Sequence, residues 1–366
     1  MTDFVKNHQN FLKIKVFSGL DGLRFLSILM VVWHHSVSQP NSYLKAFSYG
    51  FLGVDLFFVI SGFLIVTLLL RERDLTGSIS LKKFYIRRSL RIFPLYYGFI
   101  LALAAAYFIF NKDSEFGRQY LQELPIYLFF LGNFFAVQFG IVWSLASEEQ
   151  FYLLWPFLEK YLSKYIVFII IIALAINQSI NFYRSSIAQW LHLPQLINLE
   201  VMQTTFTPIL LGVVLAHALN NKSYFNFFLK ILVSRYFVLI ALLTLLLLCQ
   251  FLPADISGWP RLLLQLNMLV IVATLVLNPN NVLMPLMNLR LISRIGAVSY
   301  AIYLFHIHAI TLVRKLLELF DISSEIVLFV IAFSLSALMA EISYRYFESW
   351  FLKYKAGYSV IHQQHV

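Results

Sequence analysis

The chain is poor in charge and almost without cysteine. Of its 366 residues only 13% are Asp, Glu, Lys or Arg, against 60% hydrophobic. That balance excludes an ordinary soluble domain of this length and leaves no room for a sizeable one beside the apolar segments. The single cysteine, Cys249, lies in an all-apolar run, so an intrachain disulfide is excluded. Nor is a cleavable signal peptide expected. The N-terminus is polar and lysine-bearing, and the first apolar segment lacks a small-residue cleavage site and contains Arg24 and His35. No internal repeat, linker or low-complexity tract stands out. His, Asp and Glu show no short ligand spacing, so no metal is expected. A net charge of +10 would suit nucleic acid in a soluble protein. Here the positive-inside bias of membrane proteins accounts for it, and no nucleic acid is expected as a partner.

What remains is a series of long apolar runs. They predict an all-α fold: a polytopic membrane helical bundle of about ten transmembrane helices with both termini cytoplasmic. The expected spans are 20–39, 50–70, 93–110, 143–162, 165–182, 202–219, 235–252, 261–278, 295–317 and 325–347. Residues 1–350 then form one transmembrane domain and 351–366 a short cytoplasmic tail, with no soluble C-terminal domain. Residues 123–142 are apolar but short, and Pro125, Gly132 and Asn133 interrupt them. If they crossed, every later loop would change side and the bias of Lys and Arg toward the cytoplasm would be lost. A re-entrant or interfacial segment on the outer side is therefore expected.

Ionisable groups at membrane depth are costly and usually face a protein interior or a wet cavity. Arg24 and His35 are eleven residues apart, which is three helical turns plus about 20°, so they share a face roughly 16 Å apart. His34 points about 100° away and reads as a packing group. With the first span running outward, His35, Asp55 and Glu148 fall at one depth, about 8 Å below the outer surface. A carboxylate bonded to one imidazole nitrogen would fix the tautomer and raise the basicity of the other. The competing reading is a structural polar network between helices.

Before the third span, Arg87, Arg88 and Arg91 fall within one helical turn. Such guanidinium clusters bind phosphates, although topology signalling and anionic lipid contact explain many of them. Tyr300, Tyr303 and His306 follow at three-residue spacing in a late span, where His306 either lines the same cavity or is a satisfied core histidine. Trp143 and Ser144 open the span that carries Glu148.

Together these residues resemble the membrane acyltransferase family 3, the bacterial integral-membrane O-acyltransferases. Leu20-Asp21-Gly22-Leu23-Arg24 with His35 is similar to the family's Arg-x10-His motif. Gly53-Val54-Asp55-Leu56-Phe57-Phe58 with Ser61-Gly62-Phe63 follows. Arg87-Arg88-Ser89-Leu90-Arg91 resembles its RRxxR. Trp143-Ser144-Leu145-Ala146-Ser147-Glu148-Glu149-Gln150-Phe151-Tyr152 resembles its WSLxxExxFY. Ser299 to His306 resembles its late span. Each motif alone is weak; five in collinear order are specific.

The resemblance implies an acyl-CoA-dependent O-acetyltransferase of the bacterial inner (plasma) membrane. It would move an acyl group, acetyl first of all, from cytoplasmic acyl-CoA to a hydroxyl of a surface or exported polysaccharide. No cofactor would be held permanently; acyl-CoA is a co-substrate. The partners would be acyl-CoA, a free or lipid-linked glycan acceptor and membrane lipids. Arg87, Arg88 and Arg91 would hold the donor's phosphates. His35 would be the general base, with Asp55 or Glu148 orienting it and Arg24 on the donor path. Trp143, Ser144, Tyr300, Tyr303 and His306 would line the substrate channel. Direct transfer and an acyl-histidine intermediate both remain open. The rival classes are a proton-coupled secondary transporter and a non-enzymatic assembly subunit. The inverted repeats and paired broken helices common in transporters are not found.

Overall fold

The computed structural model describes residues 8–37, 42–190, 199–253 and 255–358. Among these residues there are helices, turns and bends but no strand. The α-helices in chain order are α1 (His8–Leu12), α2 (Leu20–Ser36), α3 (Leu52–Thr76), α4 (Leu81–Phe110), α5 (Glu115–Leu128), α6 (Val142–Tyr161), α7 (Ile166–Trp190) and α8 (Leu199–Asn220). Then come α9 (Lys222–Leu232), α10 (Phe237–Phe251), α11 (Trp259–Leu277), α12 (Met284–Met287), α13 (Arg290–Ala297), α14 (Ser299–Glu318), α15 (Glu325–Ser343) and α16 (Ser349–Lys355).

The helices are bounded by ordinary local chemistry. The Ser80 hydroxyl accepts from the Lys83 N–H at the start of α4, and Ser114 does the same for Gly117 at the start of α5. Gly77, at φ 76°, ends α3 in the left-handed conformation that suits glycine.

Helix α3 is the centre of the bundle and is buried along most of its length. Its close neighbours are set by two glycines that face each other. A Cβ on Gly62 would lie 2.1 Å from the Ile209 carbonyl oxygen, and one on Gly212 would lie 2.3 Å from that of Val59. No side chain fits there, so α3 and α8 meet backbone to backbone. Small residues at an interface are how membrane helices gain packing without a hydrophobic driving force.

Among the described residues five helical segments are long and apolar enough to cross a bilayer, and seven are if two bent pairs each count as one. The bent pairs are α9 with α10, at 80°, and α13 with α14, at 78°. The membrane-protein expectation holds, but the ten crossings expected from the sequence are not reached on length and composition. The reason is local. Helix α2 has only 17 residues, and α6 carries Glu148, Glu149, Glu159 and Lys160. Sequence reading also ran α13 and α14 together, whereas the chain turns sharply between them.

Residues 123–142 form no continuous helix. Helix α5 runs back along α4, its path fixed by the Tyr96, Tyr97 and Tyr120 hydroxyls. These donate to the carbonyls of Tyr127, Leu128 and Ile100 at 2.8, 3.1 and 3.1 Å. From residue 129 to 141 the backbone is irregular, with Phe130 at φ 53°. Gln150 satisfies this stretch: it donates to the Phe130 carbonyl at 2.8 Å and exchanges two amide bonds with the buried Asn133. Irregular backbone among apolar helices is tolerable where protein groups satisfy it in this way.

The first and last described segments are also anchored. Arg71 donates to the Phe11 and Ile14 carbonyls. Arg87 donates to the Tyr358 carbonyl at 2.8 Å, so the start of the expected tail packs on α4. Residues 359–366 of that tail lie outside the described residues, as do 38–41 and 191–198 of the loops between spans.

Candidate active site

Two cavities share α2, α3, α6 and α14. The first has an empty volume of about 770 Å³, and three guanidinium groups line it: Arg24, Arg88 and Arg91. Each is held. Arg24 donates to Asp21 at 2.9 Å, Arg91 donates to the Ala297 carbonyl at 3.1 Å, and Arg88 lies over the Tyr152 ring at 5.0 Å. Glu148 is the carboxylate facing this cluster from α6. The Ser61 and Tyr152 hydroxyls both donate to its Oε1. Tyr300 also lines this cavity, and its buried hydroxyl has no partner among the described residues. Three cations against one carboxylate make the space a site for an anion, and the guanidinium forks match phosphate oxygens.

The second cavity has an empty volume of about 1130 Å³ and is lined by His34 and His35 from α2, Phe51 just before α3, the irregular stretch and Trp143. His35 Nδ1 lies 2.9 Å from the Val31 carbonyl oxygen and 3.3 Å from Nε2 of His306, which is fully buried. Val54 and Tyr303 border both cavities. The Tyr303 hydroxyl is pinned between two groups of α6 and its approach, accepting from Ser144 at 2.7 Å and donating to the Ile141 carbonyl at 3.0 Å. Arg24 and His35 therefore stand on one face of α2, but in different cavities.

The sequence-predicted residues thus converge, with three differences. Asp55 does not meet His35. Its two oxygens accept from Arg261 Nε and Nη2, each at 2.8 Å, and from Gln265 at 3.0 Å, all buried. Glu148 is in the cationic cavity, so neither carboxylate bonds to the imidazole; matched depth did not mean matched azimuth. Arg87 leaves the cluster it was grouped with. It pairs with Glu72 at 3.0 Å and does not line the cationic cavity, where Arg24 takes its place. His34 is exposed in the imidazole cavity rather than packed away. Arg261 and Gln265 were missed, although an arginine at the edge of an apolar run is itself a signal that a buried partner exists. No group of His, Cys, Asp and Glu able to hold a metal occurs among the described residues.

Relatives of known name share most of this chain. A Staphylococcus aureus (strain COL) protein whose name reads "Putative O-acetyltransferase" is 28% identical over 391 aligned residues, covering 95% of this chain and 59% of its own length. O-acetyltransferase OatA of S. aureus (strain NCTC 8325 / PS 47) is 29% identical over 370 residues, covering 90% of this chain and 56% of its own. The chain therefore spans less than two thirds of either relative. No solved structure matches it. The profile of the acyltransferase domain Acyl_transf_3 matches residues 17–341, nearly the whole chain and every residue of both cavities, and the protein belongs to that acyltransferase family.

Proposed function

We propose that this chain is an integral-membrane O-acetyltransferase of the bacterial inner membrane. It takes an acetyl group from acetyl-CoA on the cytoplasmic side and passes it to a hydroxyl of a surface or exported polysaccharide, free or lipid-linked. The single observation that carries this reading is the adjacency of the two cavities. A cluster of guanidinium groups and a histidine whose Nε2 makes no hydrogen bond among the described residues line adjacent cavities that share Val54 and Tyr303. The relatives' names make acetyl the first choice of acyl group.

In this reading Arg24, Arg88 and Arg91 hold the phosphates of coenzyme A, and the thioester reaches His35 between Val54 and Tyr303. The acceptor hydroxyl enters the imidazole cavity. His35 Nε2 takes its proton, the oxygen attacks the thioester carbonyl, and the carbon–sulfur bond breaks as the thiol leaves with that proton. The chain crosses the bilayer ten times, with both ends cytoplasmic. A proton-coupled transporter is not favoured: the buried carboxylate expected beside His35, Asp55, is already held by Arg261 and Gln265.

The test is transfer by the purified protein in lipid. Thiol release from acetyl-CoA and ester formation on the host's polysaccharide should occur together and depend on His35. Equal rates in wild type and His35→Ala would overturn the role of the base. No thiol release with acceptor present would overturn the enzyme reading.

A further inference from the structure

Two backbone carbonyls determine where the ring protons of the buried histidine pair lie. His306 Nδ1 is 2.5 Å from the Tyr303 carbonyl oxygen. A carbonyl only accepts, so Nδ1 of His306 carries the hydrogen. His35 Nδ1 is 2.9 Å from the Val31 carbonyl oxygen, so it carries a hydrogen too. Between the rings, His306 Nε2 faces His35 Nδ1 at 3.3 Å, with ring centroids 4.9 Å apart. Two N–H groups would repel there. His306 is therefore neutral, with a lone pair on Nε2 that accepts part of the His35 hydrogen bond. His35 Nε2 is then left with its own lone pair, and it makes no hydrogen bond among the described residues.

We propose that His306 is a positioning residue that holds His35 in the Nδ1–H tautomer, so that Nε2 is the base. This rests on the transfer reading above and adds to it the group that orients the imidazole, the role expected of a carboxylate. A neutral acceptor suits the place. A carboxylate buried beside His35 without a cation would lose its hydration uncompensated, and the buried Asp55 is already paired with Arg261. When Nε2 takes the acceptor's proton, the positive ring keeps Val31 and His306 as acceptors for its Nδ1–H. When the departing thiolate sulfur takes that proton from Nε2, the pair returns to its starting state with no proton gained or lost.

The proposal separates two amides that a packing role would rank the other way. In His306→Gln the side-chain oxygen reaches the place of Nε2 and can accept from His35. In His306→Asn the amide reaches only the place of Nδ1, preserving the bond to the Tyr303 carbonyl and losing the one to His35. His306→Gln should stay within ~10-fold of wild-type kcat, whereas Asn and Leu should fall ~10²-fold or more, with KM for acetyl-CoA unchanged. Asn matching or exceeding Gln, or Leu matching wild type, would overturn it. A second readout needs no turnover. Nitrogen-15 spectra of His35 in the lipid-embedded protein should show the Nδ1–H tautomer in wild type and a mixture in His306→Leu. A wild-type Nε2–H tautomer would also sink the proposal. Loss of activity in His35→Ala with full activity in His306→Leu would reject only this inference. Full activity in His35→Ala would reject the transfer reading itself.

Discussion

The two cavities share four helices, with α4 and α13 added in the cationic one, and carry opposite chemistry. The cationic one gathers three guanidinium groups and a carboxylate with two hydroxyl donors. The imidazole one is walled by aromatic rings, irregular backbone and two histidines, and among the described residues no carboxylate lines it. The difference fits substrates of opposite character, a polyanionic donor and a hydroxyl-rich acceptor. Under the proposed reading it also separates binding from chemistry. Charge is concentrated where phosphates would be held, and His35 lies in a cavity that no Asp, Glu, Lys or Arg among the described residues lines.

If that division is right, damage on one side should not spread to the other. His35→Ala should lower transfer by ~10²- to 10⁴-fold while donor binding to the purified protein stays as in wild type. Weakened donor binding in that variant would break the comparison. Asp55→Ala should act on neither cavity but on the bundle. It leaves Arg261 buried and unpaired, which should cost about 3–5 kcal/mol of stability, read as a lowered thermal midpoint in lipid or detergent. Asp55→Leu combined with Arg261→Leu should recover much of that loss; failure to recover would mean the pair has a further role.

Smaller effects sharpen the cationic side. Arg88→Gln or Arg91→Gln should each raise KM for acetyl-CoA ~10- to 100-fold, since a hydrogen bond to a charged group contributes about 1.5–3 kcal/mol. Arg87→Gln should change it least, under about 3-fold, because that side chain is turned to Glu72 and the Tyr358 carbonyl. An effect of Arg87 equal to that of Arg91 would mean that donor binding redraws the cluster.

These contrasts also show what a one-dimensional reading can reach. The all-helical class followed from apolar runs too greasy for water. The break after Leu128 followed from Gly132 and Asn133, whereas Pro125 lies inside α5. The shared face of Arg24 and His35 followed from helix periodicity alone, because both sit on one rigid element. What failed were the particular pairings that depend on how two helices are rotated relative to each other. Depth along a span gives a height but no azimuth, so Asp55 and Glu148 looked equivalent although one faces Arg261 and the other Ser61 and Tyr152. Arg87 and Arg91 looked alike for a related reason: the partner that separates them, Glu72, is brought in by α3.

The narrow border of Val54 and Tyr303 has a consequence outside enzymology. A passage open at both ends through a bacterial membrane would drain the ion gradients that drive the cell, at about 2.3 kcal/mol per charge for each 100 mV. A hydroxyl clamped by Ser144 and Ile141 beside a valine is therefore an electrical insulator as much as a wall. Combining Val54→Gly with Tyr303→Ala should let vesicles carrying the protein dissipate an imposed pH gradient faster than wild type. A gradient held equally by both would show that the seal lies elsewhere.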